Sequence, residues 1–127
     1  MNSKIIKPWG FEIKVTEADL PYTGKIIYVS AGKRLSLQYH DIKTETITLL
    51  SGQAKIRLGD ETKAMVTSQG YTISPPTVHR LEAVTDCVFV EVSTPEMGNT
   101  VRLEDDYSRP TETEEIRNSP NRGWSQN

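Results

Sequence analysis

The sequence has one cysteine and no long apolar run, and each scarcity excludes a class of protein. Cys87 alone cannot form an intrachain disulfide, so stability must come from a hydrophobic core, which a chain of 127 residues is long enough to bury. No apolar stretch approaches membrane-spanning length, and the N-terminal residues lack the apolar segment of a signal peptide. These features predict a soluble, cytoplasmic, single-domain protein without a membrane partner.

The sequence also lacks an excess of charge of either sign. It contains 15 Lys and Arg against 17 Asp and Glu, which gives a net charge of −2, and the two signs are interspersed. Nucleic-acid binders concentrate basic residues on one face or in one segment. The charge distribution therefore predicts no nucleic-acid partner.

Short segments of alternating apolar and polar residues fill the chain before residue 94. Their period of two and their content of Val, Ile, Thr, Tyr and Phe are typical of β-strands. The predicted strands are 11–16, 24–30, 34–40, 45–51, 53–59, 63–67, 78–84 and 87–93. Turn residues separate them, and no segment before residue 94 has a helical period. This pattern predicts an all-β sandwich or barrel.

The composition changes near Ser108, where the chain becomes polar and poor in aliphatic residues. Such a composition favours irregular or mobile structure. Trp124 is the one large apolar residue of this segment, and we expect it to dock on the domain or on a partner subunit. We therefore divide the chain into a barrel with a flanking N-terminal strand, residues 1–109, and a polar C-terminal tail, residues 110–127.

The predicted strand at 34–40 has one polar face. Alternate residues of a strand share a side, and this rule groups Arg34, Ser36, Gln38 and His40. Two interpretations of that face stay open, an ordinary solvent-facing surface or a set of ligands. The short loop after His40 leads to Glu45, so the two side chains are able to approach each other across a hairpin.

The second histidine of the chain lies on an apolar strand face. His79 alternates with Leu81 and Ala83. A single histidine in such a place is more often a hydrogen-bonded core residue than a ligand. Together with His40, an amide and the carboxylate of Glu45, however, it forms a donor set that suits zinc, manganese, iron or nickel.

These residues resemble the motifs of the cupin superfamily. The first cupin motif, a Gly, a His-x-His pair, a Glu and a later Gly, is matched by Gly32, His40, Glu45 and Gly52. Ile42 stands in place of the second histidine of the pair. The second motif, a proline-rich turn that leads to a histidine, is matched by SPPTVH. The resemblance implies a double-stranded β-helix, the jelly-roll-like barrel of the cupins.

A closer resemblance is to the cupin domain of type II phosphomannose isomerases, which is often fused to a mannose-1-phosphate guanylyltransferase. The matching segments are KPWGFE (7–12), RLSLQYH (34–40), LSGQAKIRLGDET (50–62), VHRLEA (78–83), VEVSTPE (90–96) and RLEDDYSR (102–109). The resemblance implies a metal-dependent isomerase that interconverts mannose-6-phosphate and fructose-6-phosphate through a cis-enediol. It also implies a homodimer, and the tendency of open sheet edges to find partners is an independent reason to expect one.

The phosphomannose isomerase resemblance assigns the ligands of one divalent ion, zinc first, with manganese, cobalt, nickel or iron as alternatives. Phosphomannose isomerases hold zinc with Gln, His, Glu and His, and these carry over to Gln38, His40, Glu45 and His79. Ile42 cannot bind a metal, which excludes the three-histidine cupin site and keeps a metal-free cupin as an alternative.

Further residues are candidates for binding the substrate and moving its proton. Arg34 and Ser36 are predicted to bind the substrate, because arginine suits bidentate contact with phosphate. Glu91, a charge inside an apolar strand, is a candidate base. Lys43 and Arg80 are additional catalytic candidates, although alternation turns Arg80 to the opposite face. Structural ion pairs are the alternative role of these groups.

Two other functions stay open at this stage. The first is a non-catalytic cupin that binds a sugar or a sugar nucleotide. The second is another small cupin enzyme, such as a free-sugar isomerase, an epimerase or a metal-dependent oxygenase. An oxygenase is expected to keep a histidine-rich iron site, and Ile42 argues against one.

Overall fold

A computed structural model describes residues 3–125 and contains eleven strands, one short α-helix and one 3₁₀ segment in that range. The strands are β1 (Ser3–Lys7), β2 (Gly10–Lys14), β3 (Thr23–Val29), β4 (Leu37–His40), β5 (Glu45–Ser51), β6 (Ala54–Leu58), β7 (Glu61–Ala64), β8 (Gly70–Ile73), β9 (His79–Ala83), β10 (Cys87–Ser93) and β11 (Thr100–Glu104). The helix α1 covers Glu114–Arg117, and the 3₁₀ segment covers Pro120–Gly123.

The strands form two antiparallel sheets. One has the order β1-β2-β3-β10-β5-β8 and the other the order β11-β4-β9-β6-β7. Apolar side chains of both sheets meet in one core, in which Phe89, Leu49 and Ile56 are almost completely buried. The all-β prediction is therefore confirmed, and so is the lack of helix before residue 94 within the described residues.

Alternation sets which side chains enter the core. In β10, Cys87, Phe89, Glu91 and Ser93 are buried, while the residues between them are more exposed. The same rule sends His79 inward on β9, next to the apolar core residues of that strand. Alternation along a strand thus turns polar side chains such as Glu91 and His79 into the barrel, just as it does the apolar ones.

Several strand boundaries differ from the predictions. The predicted strand at 34–40 is regular only from Leu37, because its pairing with β9 shifts by one residue between the pairs Arg34↔Glu82 and Gln38↔His79, and such a bulge bends the strand before Leu37. The predicted strand at 63–67 ends at Ala64. Strands β1, β8 and β11 carry weaker alternation and were not predicted.

The segment after residue 109 is ordered by contacts with the barrel. Glu112 pairs with Thr100 of β11 through two backbone hydrogen bonds of 2.9 Å. Thr113 caps α1 by accepting a hydrogen bond from the Ile116 amide. The sequence predicted irregular structure here, and the described part of the tail is a short helical stretch. Among residues 3–125, no helix has the length and apolarity needed to cross a membrane.

Candidate metal centre and the cavity around it

His40, Glu45 and His79 meet inside the barrel where β4 ends and where β5 and β9 begin. Each side chain is buried, with at most 4% of the residue exposed. The Nε2 atoms of His79 and His40 lie 3.1 and 3.3 Å from the same atom, Oε1 of Glu45. The Gln38 amide nitrogen lies 3.4 Å from His79 Nε2. The structure thus brings together all four residues that the sequence predicted as ligands.

Hydrogen bonds on the far side of each ring orient the two histidines. His79 Nδ1 lies 2.9 Å from the Thr77 carbonyl oxygen, which can only accept, so Nδ1 carries the proton and donates. His40 Nδ1 lies 3.1 Å from the Thr100 hydroxyl. Both Nε2 atoms are left to face Glu45, which is the usual arrangement around a histidine-bound metal.

The charges at this cluster fit a bound cation. Burial opposes the charge of the Glu45 carboxylate, but the Lys43 ammonium and hydrogen bonds with the imidazoles outweigh it and hold the pKa of Glu45 well below its usual range. Burial lowers the pKa of His40. A cation bound among these atoms would replace the protons that hydrogen bonds between the Nε2 atoms and Glu45 require.

The interatomic distances also fit a divalent ion. Ligand bonds of about 2.1 Å to one ion separate neighbouring ligand atoms by roughly 3.0–3.4 Å. The separations of 3.1 and 3.3 Å between the imidazole nitrogens and Glu45 Oε1 fall in that range. The residues present therefore form a possible metal-binding cluster of the His/Glu type.

Ile42 lies outside this cluster. Its side chain is 56% exposed and is close to Gly98 in a surface loop. Ile42 stands at the position of the second cupin histidine, but its side chain does not disturb the four side chains that meet in the barrel.

Lys43 connects the cluster to Glu91. Its buried ammonium lies 3.3 Å from Glu45 Oε2 and 3.2 Å from Glu91 Oε2. Burial opposes the charge of Lys43, but the two carboxylates outweigh it and raise its pKa above the usual range. Burial, followed by the charge of Glu45, raises the pKa of Glu91 to about 7. A proton acceptor of near-neutral pKa thus stands beside the metal cluster.

The remaining predicted site residues are not all at the cluster. Ser36 is buried and donates a hydrogen bond of 2.5 Å to Gln38 Oε1. Arg34 instead pairs with Asp106 at the surface, because the bend before Leu37 breaks the alternation that grouped it with His40.

Arg80 also points away from the cluster. It follows the inward-facing His79 on β9, and its guanidinium donates to the Leu35 carbonyl at 2.9 Å and approaches Glu104. Arg80 is buried, yet it belongs to the outer face of the five-stranded sheet. These contacts agree with the prediction that alternation turns Arg80 to the face opposite His79.

Sequence reasoning missed the charged residues of the cavity next to the metal cluster. Side chains from β1, β2, β3, β11 and the C-terminal segment line this cavity together with Gln38 and His40. The added lining residues include Lys7, Glu12, Lys25, Arg102 and Arg122. The sequence does show charged residues within short, half-apolar strands. It does not show that they line one cavity, because that depends on how the strands are arranged in the fold.

Glu96 is the centre of an ion network at one end of this cavity. It accepts hydrogen bonds of 2.6 and 2.8 Å from Arg122 and lies 2.8 Å from the Lys25 ammonium. Arg122 also lies 3.2 Å from Glu112, and Lys25 lies 3.3 Å from Glu12. The network ties the C-terminal segment to the mouth of the barrel.

Acid is expected to weaken this network at Glu12. Burial opposes its charge, but the ammonium groups of Lys25 and Lys7 outweigh burial and lower the pKa of Glu12 from 4.5 to about 2. The resulting stabilisation is complete above pH 4.5 and is lost as the pH falls towards 2. Between pH 6 and pH 3, the wild type should lose about 2 kcal/mol more unfolding free energy than Glu12→Gln, as measured by urea denaturation. Equal losses in both proteins would contradict the assignment.

Comparison with known proteins places these features in a family. The family model described as "Mannose-6-phosphate isomerase C-terminal" matches residues 1–111. Mannose-1-phosphate guanylyltransferase 2 of Escherichia coli O157:H7 is 32% identical over 81 residues, which are 64% of this chain and 17% of that protein. The alginate biosynthesis protein AlgA of Pseudomonas aeruginosa is 31% identical over 117 residues, which are 87% of this chain and 24% of that protein. The chain thus spans about a fifth of the length of these relatives.

Solved structures agree on the fold. A cupin-2 domain from Rhodospirillum rubrum superposes with a TM-score of 0.67 at 16% identity, over 76% of this chain and 66% of that chain. The capsular polysaccharide assembling protein CapF of Staphylococcus aureus gives 0.66 at 16% identity, over 87% of this chain and 33% of that chain. The predicted cupin barrel, a double-stranded β-helix, is therefore confirmed.

Proposed function

Because this chain belongs to the mannose-6-phosphate isomerase C-terminal family, we propose that it interconverts mannose-6-phosphate and fructose-6-phosphate with the help of a divalent metal ion. The relatives support a sugar-phosphate-related cupin in general terms. The buried cluster of His40, Glu45 and His79, with Lys43 and Glu91 beside it, is the observation that carries the proposal of an isomerase.

In this proposal the cluster holds the metal. His40, Glu45 and His79 are three of the ligands. Gln38 is the fourth, since turning its amide over presents the oxygen to the cluster and still allows a hydrogen bond with Ser36. Imidazole and carboxylate ligands suit zinc. When bound there, a divalent ion would supply Lewis-acid chemistry at the carbonyl oxygen of the sugar.

Glu91 is the proposed proton carrier. It takes the proton from C2 of the aldose and returns it to C1, while the hydroxyl proton moves from O2 to O1, so the isomerisation is balanced without a co-reactant. Lys43, held as an ammonium between the carboxylates of Glu91 and Glu45, positions Glu91 beside the cluster. Its fixed charge also favours negative charge that develops on the sugar oxygens.

A coupled assay tests the proposal directly. Protein stripped with EDTA should not convert mannose-6-phosphate to fructose-6-phosphate, and activity should return with zinc, manganese, cobalt, nickel or iron. Circular dichroism before and after stripping provides the control for folding. If folded protein is inactive with each of these metals, the isomerase proposal is wrong. The non-catalytic alternative is then examined by titrating the protein with sugar nucleotides.

A further inference from the structure

The cavity beside the metal cluster contains unpaired hydrogen-bond donors. Three buried side-chain nitrogen or oxygen atoms in residues 3–125 lack a hydrogen-bond partner, and they are Trp9 Nε1, Arg102 Nε and Arg117 Nε. All three are N–H donors that cannot accept. Trp9 and Arg102 line the same cavity as Gln38 and His40. Because unpaired buried donors are rare and unfavourable, these two call for an acceptor in the cavity.

Lys7 lines the same cavity, and no described carboxylate forms a direct contact with its ammonium. It is only 7% exposed, and its ammonium forms no ion pair or hydrogen bond with any residue between positions 3 and 125. Burial lowers the pKa of Lys7 to about 8, although the charge of Glu12 opposes this effect. The attraction of Glu12 does not cancel the effect of burial, so an anion bound beside the ammonium would stabilise its charge.

The charge balance of the cavity favours an anionic ligand. Six Lys and Arg side chains and five Glu side chains line it. One of the six, Arg109, is paired with Asp105, so the lining is close to neutral before any metal is counted, and a divalent ion at the His40 cluster would add two positive charges. Lys7, the Trp9 indole and the Arg102 guanidinium contribute donors only, so the complementary group must be rich in acceptors and negatively charged.

We propose that Lys7, Trp9 and Arg102 form an oxyanion subsite that binds the phosphate of a phosphorylated substrate. The choice of a sugar phosphate rests on the proposed function, whereas the subsite itself rests on the unpaired donors. This subsite replaces Arg34, which the sequence analysis predicted as the phosphate-binding residue. Arg34 instead donates hydrogen bonds of 2.8 and 2.9 Å to Asp106 at the surface. Trp9 is then a ligand-binding residue as well as a core residue.

An NMR titration of the full chain tests the subsite without any turnover. The chain has two tryptophans, so its spectrum contains two indole N–H signals, which Trp9→Phe assigns. Inorganic phosphate added to metal-free protein should move the Trp9 signal and leave that of Trp124 in place. Mannose-6-phosphate should move the same signal, and unphosphorylated mannose should not. If phosphate leaves the Trp9 signal in place, or mannose moves it equally, the subsite is wrong.

Lys7→Met separates a binding role from a structural one. The variant should bind phosphate at least about tenfold more weakly, because a charged hydrogen bond is lost. It should unfold at close to the temperature of the wild type, because the variant loses both the cost of burying the ammonium and its attraction to Glu12. Lys55→Met, the same change at an exposed position, is the matched control and should leave binding unchanged.

The outcomes for subsite and isomerase are independent. Phosphate binding that requires Lys7, in a protein without isomerase activity, supports the subsite and removes the proposed reaction. Unchanged phosphate affinity in folded Lys7→Met overturns the subsite, whatever the activity of the enzyme. Loss of affinity together with a large fall in unfolding temperature also overturns it, because Lys7 would then serve the fold.

Discussion

Glu45→Gln is expected to lose metal binding and at least a thousandfold in kcat/KM, which corresponds to about 4 kcal/mol of transition-state stabilisation. Both histidine Nε2 atoms face Oε1 of this one side chain, so Glu45 is the shared centre of the cluster. Glutamine keeps the shape but removes the negative charge that attracts a cation. It also leaves the Lys43 ammonium with Glu91 as its nearest carboxylate. Metal content by mass spectrometry and the coupled assay measure the two losses.

The matched control for this variant is Glu61→Gln, which makes the same chemical change at an exposed position on β7. It should keep the metal and the activity of the wild type. Thermal unfolding of both variants shows whether the Glu45 variant is folded. A folded Glu45→Gln protein with full activity and full metal content would rule out the proposed centre.

Arg122→Met is expected to lower the free energy of unfolding by about 3–5 kcal/mol. The guanidinium holds Glu96 through two hydrogen bonds of 2.6 and 2.8 Å and also reaches Glu112 at 3.2 Å. All three side chains are at most 8% exposed. Removing the guanidinium therefore leaves two buried carboxylates with fewer partners. Because these carboxylates are shielded from water, each lost interaction lowers the free energy of unfolding substantially. Urea denaturation at pH 7 measures the difference.

Arg34→Met provides a matched comparison, because Arg34 forms a similar two-bonded pair with Asp106. This pair is about 40% exposed, with values of 38% and 41% for the two side chains. Exposed pairs contribute about 0–1 kcal/mol, so the variant should be nearly as stable as the wild type. If both variants lowered the free energy of unfolding by the same amount, burial would not be what makes the Glu96 network stabilising.

The resemblance to phosphomannose isomerases assigned the four residues of the metal cluster, and local rules agree with that assignment. Alternation along β4 and β9 turns Gln38, His40 and His79 inward, and a short hairpin loop brings Glu45 to His40. The approach of His79 to the others depends on the pairing of β4 with β9, which strand periodicity and loop length do not determine.

The cavity was not predictable in this way. Lys7, Arg102 and Arg122 come from β1, β11 and the C-terminal segment, and their meeting depends on the order of strands in two sheets. Arg34 was misplaced because the bend before Leu37 interrupts the alternation. The homodimer stays a prediction, since it depends on contacts between chains.

The family match ends at residue 111, but the contacts that close the barrel mouth continue beyond it. A protein cut at this boundary keeps every residue of the metal cluster and loses Arg122 and Glu112. Glu96 then has only lysines as buried ionic partners. The segment that the family model matches is thus shorter than the segment whose side chains form the Glu96 network. An excised or transplanted domain should therefore extend at least to Gly123.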